Sequence, residues 1–321
     1  MSNNQNPSQN AELFRFIDRD EISSEKITAP RYSYWRSVFR VFFRKKSNIV
    51  MIALLLIIVL ASFILPNFWI YDTYENVLDA KTYNLNPRQA IAYFGDNPIK
   101  WCLGTGQLGN SIMYGIFSSA KTSLLLAVTC AAINMTIGII VGAIWGYSKR
   151  FDSVMLVIYN IIANVPYILL ISVLVYVIGS GFWPFVFALT VTGWLGIAYF
   201  FRTQVMIIRD REYSLASRCL GTPINRVISK NILPFLTSVI VTLLATELPS
   251  YISMEVFLSF IGVGLSASVP SLGRMIQQGQ TAFLTYPWAF WPPVAIASAI
   301  TIILYLLGQN LADASDPRTH M

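Results

Sequence analysis

The 321-residue chain is 55% hydrophobic and only 12% charged, with a formal net charge of +7 and a mean hydropathy of +0.56. Soluble domains carry about a quarter charged residues, so long apolar runs here stand where charge is expected, which excludes an ordinary globular protein. Three scattered cysteines (Cys102, Cys130, Cys219) and the single His320 argue against a disulfide framework and an all-protein zinc site.

Residues 1–47 are polar, mixed in charge, and both too polar and too long for a cleavable signal peptide, so the first span itself is expected to direct insertion. The first ten have the composition of a disordered segment. From Arg31 to Lys46 aromatic and basic residues alternate. This is the pattern of an amphipathic segment lying in a cytoplasmic headgroup layer, and it is favoured over nucleic-acid binding.

Six membrane spans are expected: 49–65, stopped by Pro66, then about 123–145, 155–178, 182–201, about 236–261, and 288–311. The third carries Asn160, Asn164 and Pro166, whose polar groups are expected to find partners inside a bundle. Between the first and second spans lies a polar region with Asp72, Glu75, Asp79 and Asp96. Gly138, Gly142 and Gly146 form a GxxxGxxxG ladder, read as a close helix-packing face. With the N-terminus inside, 18 of the 23 Lys and Arg fall on inner segments, so both termini are expected in the cytoplasm. That asymmetry also accounts for the positive charge without an acidic ligand.

After four crossings the chain is inside again, which makes the charged run from Arg209 to Lys230 a cytoplasmic connector. Residues 209–220 read as a short surface helix, with Tyr213, Ala216 and Leu220 at i, i+3 and i+7. Gly221 is placed to end it, Thr222 to cap a second helix with Pro223 at its first position, and Pro234 to mark the junction with the fifth span. The second helix is expected to run to about Asn231. The result is an L-shaped element at the membrane face. A DNA-reading helix-turn-helix has the same outline, but both arms are tethered beside the bilayer.

Glu247 and Glu255 interrupt the fifth span on either side of Pro249, a place for a kink. A charge at the bilayer centre costs about 2.5–3.5 kcal/mol on insertion scales, so each carboxyl needs a cavity, a partner or a proton. Their spacing places them within roughly 80° on one side of a straight helix. Two readings stand for both: lining a translocation path, or bonding between helices and subunits. The phosphate-binding pattern G-x-x-x-x-G-K-[ST] is absent from the sequence, as is any evident nucleophile–base pair.

Glu212, Ala216, Ser217 and Gly221, followed after a fixed gap by Ile232-Leu233-Pro234, resemble the EAA loop of ABC importer permeases. Segments 103–109 (LGTGQLG), 255–265 (EVFLSFIGVGL), 270–273 (PSLG) and 308–318 (GQNLADASDPR) resemble the dipeptide and oligopeptide permeases of that class. The long N-terminus with Tyr32-Ser33-Tyr34-Trp35-Arg36 is similar to the C-type oligopeptide permease subunits of Gram-positive bacteria, and the likeness covers about residues 12–320. The sequence departs from the pattern at Gly106 (usually an acid), Asn110-Ser111 (Arg-Asp), Asn231 (His) and Leu272 (Trp).

The resemblance implies an all-α polytopic membrane protein of type I ABC importer permease architecture in the bacterial cytoplasmic membrane. Its expected divisions are a cytoplasmic segment 1–47, a first helix 48–66, an extracytoplasmic region 67–118, a five-helix core 119–313 containing the coupling loop 202–234, and a tail 314–321. The chain is then a non-catalytic half of an oligopeptide path. Glu212, Tyr213, Ala216, Ser217, Leu220, Gly221 and Pro234 are implied in coupling to ATPases, and Glu247 and Glu255 in the path or gate. No cofactor or metal is expected in this chain, ATP and Mg being bound by partner subunits. The implied partners are a homologous second permease, two cytoplasmic ATPases, an extracytoplasmic peptide-binding lipoprotein and membrane lipids, with no nucleic acid. The alternatives are another cargo of the same family (dipeptide, nickel, oligosaccharide) or a stand-alone secondary transporter. Against the latter stand the extra cytoplasmic element and the lack of internal repeats. An intramembrane enzyme would have only Glu247 and Glu255 to work with, and no metal-ligand set.

Overall fold

A computed structural model describes residues 34–68, 80–95, 98–266, 268–281 and 283–315. The segment expected to be disordered, the acids Asp72, Glu75, Asp79 and Asp96, and the tail from 316 onward lie outside the described residues. Among the described residues the regular secondary structure is helical, apart from one isolated bridge between Thr105 and Ser111. The helices are α1 (Tyr34–Arg44), α2 (Lys46–Phe68), α3 (Pro87–Phe94), α4 (Pro98–Trp101), α5 (Ile112–Tyr147), α6 (Lys149–Ala163) and α7 (Tyr167–Ile178). They continue as α8 (Phe182–Thr190), α9 (Trp194–Arg209), α10 (Glu212–Cys219), α11 (Ile224–Arg226), α12 (Thr237–Phe260), α13 (Leu272–Gln280) and α14 (Pro287–Ser315).

Among the described residues, five helical stretches are long and apolar enough to cross a membrane, or six if the bent pair α6–α7 is one span. The contacts at its two ends support counting it so. A single residue, Ser148, separates α5 from α6, and the Ser180 carbonyl just beyond α7 accepts the Ser266 N–H at 2.8 Å, past the far end of α12. The pair bends by 78° at Asn164-Val165-Pro166. The ring of Pro166 disfavours helical geometry in the residue before it, which sets the break. Asn160 and Asn164 do not find partners inside a bundle as expected. Both are exposed, and the Asn164 amide donates to the Asn160 carbonyl of its own helix at 2.5 Å.

Other boundaries also move. Pro66 does not stop the first span: α2 runs on to Phe68, since a proline this close to the end forfeits a single helical hydrogen bond. Helix α5 begins eleven residues before the expected 123, where the Ser111 hydroxyl accepts the Tyr114 N–H at 3.3 Å. Its 36 residues make it about 54 Å long, well beyond the ~30 Å hydrocarbon layer, so its ends project. The fourth span extends to Arg209 and is interrupted by an irregular turn at 191–193. Pro249 leaves α12 unbroken.

The glycine ladder does what its spacing implied. A methyl group added at Gly138 would lie 2.6 Å from the Ile197 side chain, one at Gly142 2.6 Å from the Ala198 carbonyl, and one at Gly146 2.6 Å from the Arg202 carbonyl. Helices α5 and α9 therefore meet backbone to backbone along three turns. A second close crossing joins α12 to α14, where a methyl at Gly308 would lie 2.6 Å from the Ala245 Cβ. One end of the bundle gathers the basic residues. There Lys45 Nζ donates to Asn310 Oδ1 at 2.8 Å, and Arg209 Nη1 donates to the Gly146 carbonyl at 2.9 Å.

The ladder makes a paired prediction. Gly142→Ala overfills the α5–α9 seam and is expected to cost about 1–3 kcal/mol, seen as a lower thermal midpoint of the detergent-purified protein. Gly196→Ala, on α9 with nothing within 4 Å of the added carbon, is expected to leave the midpoint unchanged or slightly raised. Equal midpoints for the two variants would contradict backbone-level packing.

Candidate functional site

Two residues, Asp210 and Arg211, separate α9 from α10. The surface helix is Glu212–Cys219 rather than the expected 209–220, because Arg209 is engaged elsewhere. Its guanidinium bonds the Gly146 carbonyl in the last turn of α5, where acceptors have no helical partner, and bonds Asp210 at 2.9 and 3.1 Å. That hydrogen bond from Arg209 holds the Asp210 carboxyl below the usual carboxylate range. The helix ends as its sequence requires. Gly221 adopts φ +76°, its N–H bonds the Arg218 carbonyl at 3.0 Å, and the Thr222 N–H bonds Ser217 at 3.1 Å, the two bonds of a Schellman corner.

The second arm differs from expectation. Pro223, not Thr222, occupies the cap position, and α11 is a single turn rather than a helix reaching Asn231. The chain then widens into a π-turn at Val227–Ile232 and tightens into a 3₁₀ turn at Leu233–Leu236 that contains Pro234. Proline at 234 has no N–H and crowds the carbonyl four residues back, so regular α-geometry is lost just ahead of it.

The two arms are tied together. Asn231 Nδ2 donates to Ser217 Oγ at 2.7 Å, Ser217 Oγ donates to the Tyr213 carbonyl at 3.0 Å, and the Tyr213 ring lies 5.1 Å from that of Phe235. On the other side the Arg218 guanidinium sits 5.7 Å over the Tyr147 ring at the end of α5. Helix α10 is thus held by the lead into α12 and by the α5–α9 pair at once.

Its apolar side faces away from the chain. Ser214 is the buried residue of α10, whereas Tyr213 is 41% exposed, Leu215 42%, Leu220 86% and Ile224 56%. Glu212, Ala216 and Gly221 are exposed beside them, and Ser217 is half-buried.

Sequence reasoning missed a neighbouring cluster. Arg202 forms a forked ion pair with Asp152 through Nε and Nη2, the latter at 2.8 Å, while Trp145 Nε1 donates to Asp152 Oδ1 at 2.7 Å. The guanidinium also lies 5.6 Å from the Trp145 ring centre and 5.7 Å from that of Tyr199. This locks the start of α6 to the α5–α9 pair. No strong signal was available: Asp152 follows Lys149-Arg150, and Arg202 lies just past the expected fourth span, so both read as ordinary charges at the membrane face.

The two carboxylates of α12 sit in unlike surroundings. Glu255 is fully buried, with Ser123 Oγ donating to one oxygen at 2.9 Å and Ser259 Oγ to the other at 3.0 Å. The Ser271 hydroxyl and the Gly273 N–H also reach it, so the carboxyl closes on the first turn of α13. A methyl at Gly273 would lie 2.8 Å from Glu255 Oε1. Glu247 is half-buried and bonds the Tyr251 hydroxyl, which in turn accepts from Asn134 Nδ2 at 2.5 Å. Tyr167 donates to the Leu189 carbonyl at 2.8 Å nearby.

A groove of about 770 Å³ runs between α12 and α14, its wall mostly apolar (Pro249, Met254, Phe257, Ile302, Leu306), with Thr246, Ser250, Ser253, Thr301 and Tyr305 set among these. The Thr246, Ser250 and Thr301 hydroxyls are satisfied within their own helices, as in Ser250 Oγ to the Thr246 carbonyl at 2.7 Å. At the other end of the bundle, the unusual Gly106 and Asn110 face each other. A methyl at 106 would lie 2.8 Å from Asn110 Oδ1, so the two departures from the acid-and-arginine pattern form one local change.

Comparison with known proteins gives two family matches. "Binding-protein-dependent transport system inner membrane component" matches residues 134–321, and "N-terminal TM domain of oligopeptide transport permease C" matches residues 33–87. The oligopeptide transport system permease protein AmiD of Streptococcus pneumoniae is 46% identical over 309 residues, 96% of this chain and 98% of the relative. The oligopeptide permease protein OppC of Bacillus subtilis is 31% identical across 92% and 93% of the two chains. The dipeptide permease protein DppC of the same organism is 36% identical across 67% and 68%.

The corner yields its own test. Gly221 has open space around it, so only its backbone angle selects glycine. Gly221→Val is expected to abolish slow hydrogen exchange at the two corner amides, while Gly221→Asn, which tolerates φ > 0, retains most of the protection. Equal exchange in both variants would contradict the corner geometry.

Proposed function

The chain belongs to the binding-protein-dependent transport system inner membrane components, and on that premise we propose that it is the permease subunit of an ATP-driven importer of oligopeptides. Near full-length identity to an oligopeptide permease protein supports the cargo class more than the shorter match to a dipeptide permease protein does. The subunit is multi-pass and non-catalytic. Nucleotide and Mg belong to two cytoplasmic ATPases, a second homologous permease completes the path, and a peptide-binding lipoprotein delivers cargo.

The observation that carries the coupling role is the outward apolar face of α10, at a corner held by two helix pairs. The basic end of the bundle is the cytoplasmic end under the positive-inside rule. Tyr213, Ala216, Leu220 and Ile224 would then enter a cleft on an ATPase, with Glu212 meeting a basic group near the helix start. Ser217 and Gly221 set the angle, and the π-turn before Pro234 takes up the strain as the ATPases close. A push on α10 reaches α9 and α5 through Arg209, and α12 through Asn231 and the Tyr213–Phe235 contact.

Within the membrane, the groove of α12 and α14, mostly apolar with hydroxyls among its lining, is this subunit's wall of the path, and Glu247, half-buried beside Tyr251 and Asn134, belongs to the path on the α5 side of the same helix. Glu255 serves as a gate element: it fixes α13 to α5 and α12 rather than touching cargo. The region outside, with α3 and α4, faces the binding protein.

Glu212→Lys combined with Leu220→Asp tests the reading. Peptide uptake in a deletion strain is expected to fall at least about tenfold, the effect of roughly 1.4 kcal/mol at the docking surface. The second permease is expected to co-purify as before. Normal uptake, or loss of the second permease, would contradict the assignment.

A further inference from the structure

At the basic end, two cavities meet at one side chain. The larger, about 700 Å³, is lined by Phe42, Lys45, Ser238, Thr242, Asn310 and Asp313, and Lys45 donates to Asn310 within it. The smaller, about 310 Å³, is wholly apolar, with Phe42, Leu244, Leu248, Leu304, Leu307 and Leu311 in its wall. Phe42 borders both, so a polar mouth opens onto a leucine trench between α12 and α14. Lys45 is the cation of the mouth, and Arg40, Arg44 and Lys46 are exposed within seven residues of chain around it. Phe39 and Phe43 stand outward on the same helix, in the manner of a segment lying at a headgroup layer.

We propose that this cleft binds one anionic phospholipid of the cytoplasmic leaflet, its phosphate at Lys45 and one acyl chain in the leucine trench. Charge complementarity selects the lipid's sign, because a basic cluster at the end of a span attracts anionic headgroups by about 1 kcal/mol per cation. The trench selects a lipid over a free phosphate, since a small ion gains nothing from five leucines. The site abuts the first turn of α12, directly after the π- and 3₁₀-turns, so an occupied cleft braces the helix that the corner moves. Its placement in the cytoplasmic leaflet rests on the orientation given above; the lipid contact itself does not.

The complete transporter, extracted in neutral detergent with phosphatidylglycerol and phosphatidylcholine in equal amounts, provides the test by native mass spectrometry. Wild type is expected to retain phosphatidylglycerol in preference. Lys45→Gln, on an exposed side chain, and Leu307→Trp, which fills the trench without altering charge, are each expected to lower retention at least about tenfold, or 1.4 kcal/mol. Equal retention in Lys45→Gln would overturn the proposal, as would displacement of the lipid by inorganic phosphate. So would a photo-crosslinker at position 307 that captures the second permease in place of lipid.

Discussion

Everything at the functional end depends on the backbone contact between α5 and α9. Three glycines one turn apart let the two helices approach until carbonyls and β-carbons of one fill the space over the other. A seam of this kind has no slack, so the pair moves as one body. Arg209 then joins the end of that body to the corner by bonding the Gly146 carbonyl, which no helical donor can reach. The Asp152–Arg202 pair, braced by Trp145, extends the same body to the foot of the bent span. Without the seam, a force on α10 would be spent in sliding helices rather than moving them.

The second body is the α12–α14 pair, crossing at Ala245 and Gly308. It is linked to the corner by softer parts: a π-turn, a 3₁₀ turn, an amide–hydroxyl bond and an aromatic contact. This asymmetry is mechanically useful. A rigid link on one side and a compliant one on the other let one displacement change the angle between the two bodies. The buried Glu255 cluster joins α12 to α5 and α13 at the opposite end, which under the proposed coupling is where the two bodies would hinge.

Much of this was legible in the residues. Length and apolarity gave the spans, the glycine spacing gave the seam, and Gly221 gave the corner to the residue, because each rests on a local steric rule. Where expectation failed, a longer-range partner had intervened. Helix α10 starts at Glu212 because Arg209 is bonded to α5, sixty-three residues away in sequence. The second arm is not a regular helix because Pro234 acts upstream of itself. Asn160 and Asn164 face outward, the Asn164 amide satisfied by the Asn160 carbonyl of its own turn beside the bend at Pro166. The unlike settings of Glu247 and Glu255 were beyond reach. Their eight-residue spacing puts them on one side of α12, but what waits on that side comes from α5, α7 and α13.

The central claim is that α10 presents its apolar corner to a soluble ATPase. A photo-reactive amino acid placed at Leu220, the most exposed residue of that face, is the direct measurement in native membranes. The account predicts a covalent adduct with an ATPase subunit at Leu220 and none from the same probe at the buried Ser214. An adduct with lipid or with the second permease at Leu220, or equal capture from both positions, would contradict it.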